Sequence, residues 1–321
     1  MKDTDYTFAV ARIRSNETRL LSAQELNAVI SSAGYDEAVR RLNDKGYEID
    51  GLDYGAALNE KMKNEWELIE SLLPDKKEFE SILLPNDFKN LKLILKAFVC
   101  EKETDGLFSY PCVYDPEELK KLVSERKNGE LPECLRHCDR SAYRILTQTR
   151  FAQLADSVID RASMEWAIKT AKTADNTIMS EIAETVAAVS DIKILYRCIL
   201  AGKARSFAER AVCECEAFDK SNIIKAALSG MDDFLDFVSH TKYSALAEAL
   251  KESPTAFEKA CDDALMKVLY RGKYETFGIA AVAAYYFAVK TEIMNVRIIL
   301  SAKLNGLPDE TIRERMRLLY V

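Results

Sequence analysis

Glycine and proline are scarce in this sequence, 11 and 7 among 321 residues, so the punctuation that separates strands in a β protein is nearly absent. Only two histidines occur, His137 and His240, and neither lies near a serine or cysteine nucleophile signature. No GxxxxGK(S/T) stretch is present, which removes one well-defined phosphate cradle. Basic residues are not in excess: 45 Lys and Arg against 52 Asp and Glu leave a net charge of −7. That balance argues against a nucleic-acid-binding surface, which neutralises phosphates with a basic face. The longest apolar run, "FGIAAVAAYYFAV" from Phe277 to Val289, stops after 13 residues, whereas a membrane-spanning helix needs roughly 20. It reads as a buried core helix, so any membrane association passes through a partner. The start, "MKDTDYTFAV", carries charges where a secretory leader has its apolar segment. Export is therefore not expected, and the eight cysteines are expected to be reduced thiols.

What is present is helical periodicity. Leu91, Ile94, Leu95 and Phe98 fall at i, i+3, i+4 and i+7, and Val296, Ile299, Leu300 and Leu304 nearly repeat the spacing, which lines one face of a 3.6-residue helix. Lys89, Lys92 and Lys96 fall on another face, as an amphipathic helix requires. Prolines act as boundary marks. Pro74 and Pro85 are expected to bracket a short helix, and Pro111, Pro116 and Pro132 crowd one irregular zone. Ser253–Pro254 predicts an N-cap followed by the first turn of a helix. Gly306 is placed to end one helix, and Pro308 with Asp309 and Glu310 to start the last. The predicted fold class is all-α.

One pattern is written more than once. "DFKNLKLILKA" from Asp87 and "EIMNVRIILSA" from Glu292 share an acid, two spacers, Asn, an aliphatic, a base and three aliphatics. A third version, "DIKILYRCILAGK" from Asp191, keeps the acid and the aliphatics but has Ile194 where the others have Asn90 and Asn295. Each is preceded by a longer helical stretch and, before that, by a short helical unit starting near Ser22, Pro116 and Asn222. The layout predicts three related helical segments, 1–105, 106–205 and 206–321. A period near 100 residues exceeds that of stacked solenoid repeats, so the units read as small domains.

Candidate chemistry is thin. "DDFLD", with Asp232, Asp233 and Asp236, matches the DDxxD pattern by which helical isoprenoid synthases hold magnesium against a diphosphate. A second such motif is missing, since Asp262 and Asp263 lack a third carboxylate, and a solvated acidic helix face is the simpler account. "ECLRHCD" places Cys134, His137 and Cys138 together, with Cys112 upstream, but the spacing does not supply two short zinc-ligand pairs; the same holds for Cys213 and Cys215. Arg12, Arg14 and Arg19, and Arg313, Arg315 and Arg317, are either basic contact surfaces or ordinary solvated faces. No catalytic residue, cofactor-binding residue or metal ligand is assigned. A magnesium-dependent enzyme using "DDFLD" and a helical scaffold or adaptor protein stand as alternative functions.

Taken together, "YTFAVARIRSNETRLLSAQELNAVI", "NDFKNLKLILKA" and "YFAVKTEIMNVRIILSAKLNGLPDETIRERMRLLYV" resemble the C subunit of V-type (A/V-type) ATPases, the counterpart of the eukaryotic d subunit. The resemblance spans essentially the whole chain. It implies three similar helical domains arranged as a funnel around a pseudo-threefold axis with a central socket. It also implies a non-catalytic central-stalk rotor subunit on the cytoplasmic side of the membrane, with the membrane rotor ring and the shaft of the catalytic head as partners. Such a protein binds no nucleotide, and it couples ATP hydrolysis or synthesis to proton or sodium transport. Asn90, Lys92, Asn295 and Arg297 are the candidate repeat-equivalent polar positions, either structural or at an interface.

Overall fold

The computed structural model describes residues 3–104, 106–174, 176–275 and 278–321. Met1, Lys2, the segment-boundary residue Asp105 and Phe277 at the head of the apolar run lie outside these. Among the described residues the chain is helical, with no strand beyond an isolated bridge between Cys215 and Phe218. It divides into two compact units, one formed by residues 1–76 with 245–321 and the other by residues 77–244.

The first unit contains α1 (Thr7–Glu17), α2 (Ala23–Ile30), α3 (Tyr35–Asn43) and α4 (Tyr54–Leu72). The second follows without interruption as α5 (Glu80–Cys100), α6 (Pro116–Ser124), α7 (Glu133–Thr149), α8 (Ala152–Thr173), α9 (Thr177–Leu200), α10 (Arg205–Ala211), α11 (Lys220–Ser229) and α12 (Met231–Ser239). The chain then returns to the first unit through α13 (Ser244–Glu252), α14 (Pro254–Gly272), α15 (Ile279–Leu304) and α16 (Asp309–Arg315).

In the first unit α15 is the central helix, packed on α1, α3, α4, α14 and α16. Its apolar run explains the position. From Ile279 to Val289 every side chain except Phe287 is buried, and a helix that is apolar on all sides must be enclosed on all sides. Among the described residues no helix is long and apolar enough to cross a membrane. In the second unit α5 and α8 pack along each other, with α7 against both. Leu91, Ile94 and Leu95 of α5 are fully buried in one core with Leu119, Leu135, Ala142 and Ile159, each large aliphatic contributing roughly 1.5–3 kcal/mol by leaving water. The lysine face of α5 is less solvated than an amphipathic pattern suggests. Lys92 and Lys96 pair with Asp160 and Asp156 of α8 at 2.6 and 2.7 Å, while Lys89 stays exposed.

Helix boundaries follow local chemistry. Ser22 and Glu25 form a reciprocal capping box at α2, and Ser253 caps α14 through the Ala256 N–H with Pro254 in the first turn. Pro308 precedes α16, whose first turn carries Asp309 and Glu310. Pro85 departs from the expected boundary: it lies inside α5, and the segment between Pro74 and Pro85 is only a 3-10 turn, Lys76–Phe79, followed by the start of α5. One missing ladder donor near a helix start is tolerated when the helix is anchored by as deep a core as that of α5.

The three acid-led helices end alike. Each stops at a left-handed residue, Glu101, Gly202 or Gly306. In each case the next amide bonds back to a carbonyl five residues earlier: Lys102 to Ala97, Lys203 to Cys198 and Leu307 to Ala302, all at 2.9 Å. This is the 6→1 closure of a Schellman turn. The left-handed residue follows Asp87 and Glu292 at the same interval of fourteen residues but follows Asp191 after eleven, so the middle version is the divergent one in structure as in sequence.

The second unit is continuous in sequence and has its own core. A chain limited to residues 77–244 is therefore expected to fold cooperatively as a helical domain. Circular dichroism with a single sigmoidal urea transition would check this; a non-cooperative, aggregating fragment would be the contrary outcome.

Candidate functional site

The acid of each repeated helix is buried, and each holds an irregular segment by its backbone. Asp87 has no exposed surface; its two carboxylate oxygens accept the N–H groups of Val113 and Tyr114, both at 2.9 Å. Asp191, equally buried, accepts the Cys213 N–H at 3.1 Å on one oxygen and faces the Cys213 thiol at 3.2 Å with the other. Glu292 is 3% exposed and accepts the Leu21 N–H at 2.5 Å and the Tyr47 hydroxyl at 2.6 Å. A carboxylate withdrawn from water is tolerable only when its oxygens are satisfied.

Two of the three held segments stand in equivalent places; the third, at Cys213, lies seven residues ahead of its helix. Tyr114 lies two residues before α6 and Leu21 two residues before α2, while Cys213 precedes α11. The acid of the first repeated helix thus grips the chain entering the second segment, and that of the second grips the chain entering the third. Glu292 of the third grips the chain entering the first.

Asn90 and Asn295 add a second grip. Asn90 donates to the Ser109 carbonyl at 3.1 Å and accepts the Ser109 N–H at 2.7 Å. Asn295 does the same with Arg317, at 3.2 and 2.9 Å. A primary amide matches one peptide group with a donor and an acceptor side by side, which explains Asn rather than Asp at both positions. Ile194 of α9 cannot do this; it packs instead against two small apolar clusters around Ala183, Ala187, Cys198 and Phe207. The base two residues after each Asn does not share one role. Lys92 is bound to Asp160, and Arg297 is exposed, with Asn59 at 3.4 Å.

Several of these contacts leave no trace in a one-dimensional pattern. Arg14 carries no partner within its apparent basic triplet. It pairs with Glu17 at 2.6 Å and reaches the Glu275 carbonyl at 3.1 Å, and so joins α1 to the turn after α14. Arg317 pairs with Asp262 at 2.6 Å, and Asp263 accepts the Leu318 N–H at 2.8 Å. Asp262 and Asp263, which lack the third carboxylate of a metal motif, are the anchors of the C-terminal segment.

Burial dominates the electrostatics. It pushes the Asp87 carboxyl up from 3.8 to about 6, against the pull of the Val113 and Tyr114 N–H groups, and the Asp191 carboxyl up to about 7, against Cys213. Glu292 is raised for the same reason. Cys134 and Cys138 are buried while His137 between them is exposed, so the three diverge. Burial raises both thiols, to about 11 and about 12, which suppresses the thiolate form that binds metals or attacks electrophiles. Asp232, Asp233 and Asp236 are exposed on α12, the first two in its opening turn, where the helix dipole favours acids. Among the described residues no group of three or more His, Cys, Asp or Glu is placed to hold a metal ion. A cleft of about 810 Å³ lies beside the start of α9, where Lys172 bridges Glu184 at 3.2 Å and Glu216 at 2.7 Å, so the charges on its wall compensate one another.

The family described as ATP synthase (C/AC39) subunit matches residues 9–315. The C subunit of the V-type sodium ATPase of Enterococcus hirae is 22% identical over 320 residues, covering 96% of this chain and 97% of that protein. The C subunit of the A-type ATP synthase of Methanocaldococcus jannaschii is 28% identical over 349 aligned positions, covering 96% of this chain and 85% of that protein. Its counterpart in the A-type ATP synthase of Pyrococcus abyssi is 22% identical, covering 98% and 90%.

Two substitutions test the grips. Asp87→Asn keeps the shape but turns an amide N–H₂ toward one of two backbone donors, and is expected to cost about 2 kcal/mol. Asp191→Asn faces only one backbone N–H and a weak thiol, and is expected to cost less. Urea midpoints of the two variants check the order. The acids also set a pH dependence. A carboxyl whose pKa is higher folded than unfolded binds its proton more tightly in the native state, so its contribution is full below about 4 and is lost as pH rises through the folded value. Thermal midpoints are therefore expected to fall between pH 4.5 and 7 through Asp87, Asp191 and Glu292, and Asp191→Asn is expected to flatten the upper part of that slope.

Proposed function

Because the chain belongs to the ATP synthase (C/AC39) subunit family, we propose that it is the non-catalytic central-stalk subunit of a V/A-type rotary ATPase. In this reading it joins the rotating shaft of the soluble head to the membrane rotor ring, so that ATP turnover and proton or sodium movement share one rotation. It stands on the cytoplasmic face, held there by the ring. The observation that carries the reading is the family match across nearly the whole chain, together with relatives named as the C subunit of V-type and A-type machines at closely similar length.

The proposed architecture is a funnel of three modules, residues 1–105, 106–205 and 206–321, around a central socket. The cyclic order of the acid grips supports it. Each of Asp87, Asp191 and Glu292 holds the entry of the following segment, and the last returns to the first at Leu21. A set of three that closes on itself is what a pseudo-threefold arrangement requires, and an open row would leave one acid without its segment. The function needs stiffness, and interiors packed at crystal-like density with satisfied polar groups deform little under load. In this arrangement Asn90 and Asn295 act structurally, and the exposed Arg297 is the one of the four polar positions available to a partner.

Removing the chain from the assembled machine tests the proposal. The catalytic head is expected to keep hydrolysing ATP while ATP-driven ion uptake into vesicles is lost, and adding the purified chain back is expected to restore uptake. Normal ion pumping by a complex shown to lack this chain would contradict the reading.

A further inference from the structure

Residues 101–115, "EKETDGLFSYPCVYD", connect α5 to α6, and the described ones form no regular element. A loop of this length without regular structure is uncommon in a compact domain unless it has a task. It is also pinned with unusual thoroughness. Asn86 donates to the Pro111 carbonyl at 2.6 Å, Asn90 holds the backbone N–H and C=O of Ser109, and Asp87 holds the backbone N–H groups of Val113 and Tyr114. All three gripping side chains are buried on α5. Phe108 and Tyr114 turn inward against the core of the second unit.

The intervening large side chains turn the other way. Leu107 is 62% exposed and Tyr110 64%, with Val113 beside them. Flexible loops shed apolar side chains into solvent at little consequence, but here the backbone from Ser109 to Tyr114 is held while Tyr110 and Val113 within it, and Leu107 just ahead of it, face water. A fixed backbone removes the ordering cost of association before any partner arrives, and a tyrosine with a leucine is a composition suited to an interface centre. The surroundings are negative. The 15-residue strap holds four acids in its sequence, Glu101, Glu103, Asp105 and Asp115, against one base, Lys102; Glu117 and Glu118 follow in the first turn of α6, and Lys120 approaches Glu103 at 3.9 Å.

We infer that this strap is a preformed docking epitope, in which Leu107 and Tyr110 enter an apolar pocket rimmed by lysine or arginine on another polypeptide of the assembly. Charge complementarity selects that occupant. An anionic lipid surface would be repelled by the strap, and a second copy of the same strap would bring like charges together. The inference rests on the reading of the chain as one component of a larger machine, and it adds the place of contact and the chemistry of the surface met there.

Photo-cross-linking in the full chain within its purified complex tests it. With p-benzoylphenylalanine in place of Leu107, irradiation is expected to join the chain to a different polypeptide, at a peptide with two or more Lys or Arg residues flanking the attachment point. No adduct overturns the inference, as do adducts confined to this chain, a second copy, lipid or an acidic segment. In a second arm, the Tyr110→Ser chain, confirmed as folded by circular dichroism, is expected to rebind the complex stripped of the native chain about thirtyfold more weakly, the size of an interface hot spot. Unchanged affinity overturns it. ATP-driven ion transport by the same preparations separates the two readings. Transport without the expected adduct leaves the coupling role standing and removes the epitope, whereas a chain that does not enter the complex removes both.

Discussion

A buried carboxylate that must find backbone donors is the constraint from which the rest of this structure follows. An acid in a helix interior is costly unless its oxygens are met, and in Asp87, Asp191 and Glu292 they are met by segments that have no regular structure of their own. The same bonds answer the opposite need. Peptide groups in irregular segments must be paired or reach water, and the acids pair them where the segments cross the packed helices. Neither partner is stable in that place without the other. Burial alone would make these acids weak points; here it makes them the pins that fix where each group of short helices begins.

Much of the fold was legible in the sequence because helix chemistry is local. The i, i+3, i+4 spacing, the Ser253–Pro254 start and the stop at Gly306 all act within a turn or two. The echo itself was legible, since an acid and an asparagine recur at fixed spacing among aliphatics. What those residues hold was not. Their partners are backbone N–H and C=O groups, which every residue type presents alike, so Val113, Cys213, Leu21 and Arg317 carry no letter that marks them. Asp262, Asp263 and Arg14 were opaque for a related reason: their partners lie tens to hundreds of residues away in the chain.

Packing was less legible than secondary structure. α5 closes the first sequence segment yet packs on α8 of the second, and α4 of the first segment packs on α15 of the third. Amphipathic faces state that a helix must be covered and do not state by which helix. Pro85 within α5 shows the same tertiary override, with a deep core accommodating a residue that local rules would place at a boundary. The strap before α6 is the clearest case. Pro111 lies in an irregular stretch as expected, whereas Pro116 opens α6 and Pro132 caps α7, and only the structure separates the inward Phe108 and Tyr114 from the outward Leu107 and Tyr110.

These observations join in one mechanical picture. Irregular segments are the natural soft points of a helical protein, and the coupling role proposed above would need them stiffened. Here the segments at Leu21, Ser109 to Tyr114, Cys213 and Arg317 are held from within, by side chains of α5, α9 and α15.

Amide hydrogen exchange resolved to single residues tests that picture most directly. The N–H groups of Leu21, Val113, Tyr114, Cys213 and Arg317 lie outside regular helices. If the buried acids and amides hold them as described, they exchange as slowly as the interior of α5 and α15. Exchange of these five at the rate of open loops, while the helices stay protected, would contradict the account.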